Sequence, residues 1–165
     1  MTYWVAAASM LLMSVGNAGT ATMVDAVEKA ALSDCALVLQ KRIHLDNATE
    51  MAAHGYTVEP VDEEGLWASR TVEGSQLRIG SEPGKPGCRV RFAGPDAERV
   101  YEAVVQRLIG RGFAFPGGKR KRAEPQFVLD TLVQEKGVVA IVSMFRVNAP
   151  DATIFAMTLF PPPSN

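Results

Sequence analysis

A junction that occurs twice constrains this chain more than any other feature. Ala53-His54-Gly55-Tyr56 and Gly110-Arg111-Gly112-Phe113 each end a helical segment at a glycine and place an aromatic residue before a run of strands. Glycine at such a point takes the left-handed conformation that stops a helix, so each junction reads as a helix end feeding a sheet. Ahead of the first junction, Thr22 and Asp25 read as a capping box, and Val24, Val27, Ala31, Val38 and Leu39 follow at helical spacing until Lys41-Arg42. Asn47 and Glu50 then open a short second helix. Ahead of the second junction, Pro95 with Asp96 and Glu98 opens a helix with a stripe of Val100, Tyr101, Val104, Val105, Leu108 and Ile109.

Three strand-like runs follow each junction, at 66–72, 76–80 and 88–92 in the first half and at 127–133, 137–147 and 153–160 in the second. The expected fold is therefore α+β: two tandem αβββ units, about 22–94 and 95–160, forming one antiparallel sheet with helices packed on one face. Together they make a single domain over 22–160, and the Pro-rich tail 161–165 should be extended. In layout, two tandem helix-plus-meander units are similar to the bacterial β-lactamase inhibitory proteins, and no residue motif carries the likeness further.

The 165 residues are 47% hydrophobic, enough for one core without metals or dense disulfides. A net charge of −1 gives the whole molecule no attraction to nucleic acid. Before Asp25 there is no charged side chain, and residues 3–15 (YWVAAASMLLMSV) form an apolar run followed by Gly16-Asn17-Ala18-Gly19-Thr20-Ala21. This is the pattern of a signal peptide over 1–21, cleaved after Ala18 or Ala21, although its start has no Lys or Arg. The expected location is exported, periplasmic or secreted, with no membrane span once the signal is removed. A start at Met23 is the alternative. Only one pairing is open to the two cysteines, and in an oxidising compartment Cys35 and Cys88 would form a disulfide.

Little in the chain suggests catalysis. His44 and His54 are its only histidines, with Asp46 and Glu50 as neighbouring carboxylates; a small hydrolase or transferase would have to use them. Residues 80–85 lack the spacing of a phosphate loop, and Asp62-Glu63-Glu64 reads as a solvated acidic turn. We therefore expect no cofactor, no metal and no catalytic residue.

Binding has better candidates. Arg89 and Arg91 share one strand face while Cys88, Val90 and Phe92 share the other, and Arg70 and Arg78 in the preceding strands would extend the patch. The basic run Lys119-Arg120-Lys121-Arg122 could meet an anionic partner; it is also what a cytosolic nucleic-acid accessory would use. Residues 137–144 and 153–160 are apolar at both alternating positions, so one sheet face there is left without helices to cover it. Val139, Ile141, Phe155 and Met157, or their neighbours in the opposite register, would then form an interface for a protein partner or a homodimer.

Overall fold

Both glycine junctions stop their helices as expected: Gly55 and Gly112 hold φ of 83° and 84°, where a side chain would be strained. The aromatic residues that follow, Tyr56 and Phe113, are buried. The structure, a computed structural model, describes residues 16–118, 127–134, 137–146 and 153–161. The first unit opens with α1 (Gly16–Lys29), passes through a π-helical turn (Ala30–Asp34) into α2 (Cys35–Leu39), and adds the short α3 (Ala48–Ala53). Its strands are β1 (Thr57–Val58), β2 (Leu66–Val72), β3 (Ser75–Ser81) and β4 (Cys88–Ala93). The second unit is α4 (Ala97–Gly110), β5 (Phe113–Ala114), β6 (Phe127–Gln134), β7 (Val139–Arg146) and β8 (Thr153–Phe160).

The eight strands of the described residues form one antiparallel sheet in the order β1-β2-β3-β4-β8-β7-β6-β5. This order is a palindrome of the two units, which meet at the central β4–β8 pair. The fold is α+β with helices on one face, as the doubled pattern requires. Each unit carries one strand more than the three long ones, because β1 and β5 are only two residues long and too short to show a period. Thr22 does not cap α1; the helix already runs from Gly16 through Asn17, Gly19 and Thr20, despite the low helix propensity of all four. Asn47 does cap α3, its Oδ1 accepting from Thr49 N and Glu50 N.

The core lies between the helices and one sheet face. α1 packs on α4, α4 crosses β7 and β8, and α2 rests on β4. The register places Cys88, Val90 and Phe92 beside Leu159, Met157 and Phe155, all buried beneath the helices. The Phe92 and Phe155 rings stack with centroids 5.3 Å apart. Cys35 and Cys88 are joined in a fully buried disulfide that ties the end of the π turn to β4. Among the described residues, no helix is long and apolar enough to cross a membrane.

Candidate functional site: the open face of the sheet

Strand alternation and register decide which expected surface residues reach the face opposite the helices. Arg78, Arg89 and Arg91 do: Arg78 pairs with Arg91, and Gly80 with Arg89. Arg70 does not. The β2–β3 register sets Ser69 beside Arg78 and Arg70 beside the buried Leu77, so Arg70 turns under the helices. There its guanidinium donates to the Ala26 carbonyl at 3.2 Å and lies 4.8 Å from the centre of the Tyr56 ring.

The remaining three arginines do not form the bare cationic patch expected from the sequence. Arg78 is bonded to Glu59, Arg89 to Glu82, and Arg91 to Glu64 at 2.9 Å. Two of these carboxylates come from the β1–β2 loop, where Asp62 Oδ1 accepts from Glu64 N and Gly65 N and fixes the turn. Glu82, in the β3–β4 turn, is held below the usual carboxylate range first by its bond to Lys85 and then by the charge of Arg89. Below this layer lies Trp67, 1% exposed, with Arg78 4.7 Å and Arg91 5.5 Å from its ring centre. Gly80 makes this possible, since a Cβ there would sit 2.4 Å from the indole. Sequence reasoning missed Trp67 and the acidic partners of the arginines above it, although an indole in a strand run was a usable signal.

The apolar half is rearranged as well. Val139 and Ile141 lie on the open face, but Phe155 and Met157 do not; they pair with Met144 and Val142 beneath the helices. The four residues cannot share a face, because β7–β8 sets Ile141 beside Thr158 and Ser143 beside Ala156. The open positions of β8 are therefore Ile154, Ala156, Thr158 and Phe160, the opposite-register neighbours. These join Leu129, Ile141, Ser143 and Phe145, with Arg89 and Arg91 at one side, around a groove of about 530 Å³. Phe145 is 44% exposed there. Lys119, Arg120, Lys121 and Arg122 lie outside the described residues.

A second polar constellation sits on the helix side. Asp34, fully buried on the π turn, accepts from Tyr56 Oη at 2.9 Å and Lys29 Nζ at 3.0 Å, and lies 3.2 Å from His54 Nδ1. Burial, then the Asp34 charge, pushes the Tyr56 hydroxyl well above the ordinary range. His44, by contrast, is exposed and sits 3.1 Å from Glu50 Oε2. Both imidazoles thus meet carboxylates that anchor helix ends: Glu50 also bonds Asn47 and the His44 backbone N–H. Glu50 is held below the ordinary carboxylate value chiefly by that backbone bond. Asp46, the other carboxylate near His44, is exposed.

Among the described residues, no group of three or more metal-ligating side chains comes together. No family model, curated protein or solved structure matches the chain.

Proposed function

We propose that this chain is an exported, non-enzymatic binding module that presents the open face of its sheet to a partner. The groove over β6, β7 and β8 carries this reading: apolar side chains line it on a face that the helices do not cover. An uncovered apolar surface of this kind marks binding sites on soluble domains. The buried Cys35–Cys88 disulfide supports the exported setting, because such bonds persist in oxidising compartments.

Two measurements test the two parts. Intact mass of the protein from its native host under non-reducing conditions should show loss of the segment ending at Ala18 or Ala21, with both thiols oxidised. A full-length chain with free thiols would overturn export. Methyl NMR with a soluble paramagnetic agent should broaden Ile141 and Ile154 and spare Val142 and Met157; shielding of all four would overturn the open face.

A further inference from the structure

The groove has a direction. On the open face the register builds a row across four strands, Arg91–Ala156–Ser143–Leu129. Its two middle residues are small, and they are 8% and 9% exposed. Larger side chains stand on either side: Thr158 and Ile141 in one neighbouring row, Ile154 and Phe145 in the other. The result is a furrow perpendicular to the strands, floored by Ala156 and Ser143 and ending at Arg91. The Ser143 hydroxyl donates to the Ala156 carbonyl at 3.3 Å, so the floor offers no strong polar demand.

Among the described residues, Arg89 and Arg91 are the only charged groups that line the furrow. Their partners Glu82 and Glu64, with Glu63, line an adjoining cleft that shares both arginines, so an anion in the furrow would compete with these carboxylates. Arg89 Nε reaches Thr158 Oγ1 at 3.3 Å, directing this guanidinium to the furrow's mouth. Three strand spacings give a length of about 14 Å; C–C bonds of about 1.5 Å advance only about 1.25 Å each along a tetrahedral zigzag, so an extended chain of about ten carbons, about 11 Å long, fits with room for its headgroup. We propose, building on the binding reading above, that the furrow takes a small anionic amphiphile. Its linear apolar tail would lie over Ala156 and Ser143, and its carboxylate would lie against Arg91 and Arg89.

The test is a methyl NMR titration of the mature, oxidised protein with sodium decanoate, decanol and decylamine, each below its aggregation concentration. Decanoate should shift Leu129, Ile141 and Ile154 saturably, and the other two should bind about tenfold more weakly or worse, since only decanoate brings a negative charge to the two guanidiniums. Arg91→Gln should reduce decanoate to the affinity of decanol. Glu64→Gln, at an exposed loop position, should tighten decanoate by releasing Arg91, and Ser143→Leu should block every tail by filling the floor. Equal binding of decanoate and decylamine would overturn the charge assignment, and unchanged binding by Ser143→Leu would overturn the furrow. If Ile141 and Ile154 are open to the paramagnetic agent yet no amphiphile binds, this proposal fails and the binding module stands. If a second copy of the chain covers them in the free protein, as sedimentation would show, the amphiphile fails in favour of a dimer.

Discussion

On the side of the sheet away from the helices, β2 and β3 bury an indole under two guanidiniums, which loop carboxylates hold in place. On the same side, β6, β7 and β8 hold Ile141, Ile154 and Phe160 only partly buried, around a groove. The two units share a helix, a glycine junction and a meander, so the difference lies in their loops and side chains. The β1–β2 loop brings Glu59 and Glu64 back over its own unit, and Gly80 leaves room for Trp67 to lie flat. At equivalent depth the second unit has Ala156 and Ser143, which leave a trough. A doubled scaffold can thus close one half of a face with an indole and ion pairs while, among the described residues, the other half stays only partly covered.

Variants should separate the halves. Trp67→Ala should cost the most, about 3–5 kcal/mol in urea unfolding, because it empties the space beneath Arg78 and Arg91. A loss under about 1 kcal/mol would mean that the first half is not sealed by its indole. Replacing Cys35 and Cys88 together by serine should cost about 4 kcal/mol, the entropy of the loop that the bond closes, read from the same unfolding curves. Tyr101→Phe should cost about 1–3 kcal/mol, since the Tyr101 hydroxyl donates to the buried Asp130 at 2.5 Å. This would show that the second half keeps its polar tension on the helix side.

Acid should also distinguish the units. Glu50 and Glu82, whose partners lie within the first unit, are held below the ordinary value of 4.5, and so is Glu28, which bridges to Arg107 and Arg111 of the second. The largest cause for Glu28 is its bond to Arg107, whose own pKa is raised chiefly by the same bond. A depressed carboxylate stabilises the fold above its unfolded pKa and loses that contribution as pH falls through its folded pKa. Below pH 4.5, hydrogen exchange should therefore lose protection in the first unit before the second; the reverse order would contradict the pairing. The smallest effect belongs to Ile141→Ser, expected to change stability by under about 1 kcal/mol while weakening ligand binding at the furrow.

Much of this architecture was legible in the chain. The run 66–72 is β2 to the residue, and 153–160 is β8, because apolar runs between glycine and proline punctuation mark strands well. The face assignments were less legible. Arg70 and Arg78 both belong to polar-apolar alternations, yet one is under the helices and the other is not, because a hairpin register of one residue exchanges the faces. Phe155 and Met157 were misplaced for the same reason: Thr153–Phe160 is apolar at both parities, and alternation then carries no sign. Asp34 was invisible as a hub because two of its three partners, His54 and Tyr56, lie 20 and 22 residues away in sequence.

By itself the sequence determined that there are two helix-and-meander units, where each helix stops, and which cysteines could pair. These are local matters of backbone conformation, periodicity and count. Tertiary structure alone decided which face each strand turns to the helices, which carboxylate meets which arginine, and where the described residues leave the sheet uncovered. The reason is that register couples strands distant in the chain, and a side chain's partners exist only after that coupling is made.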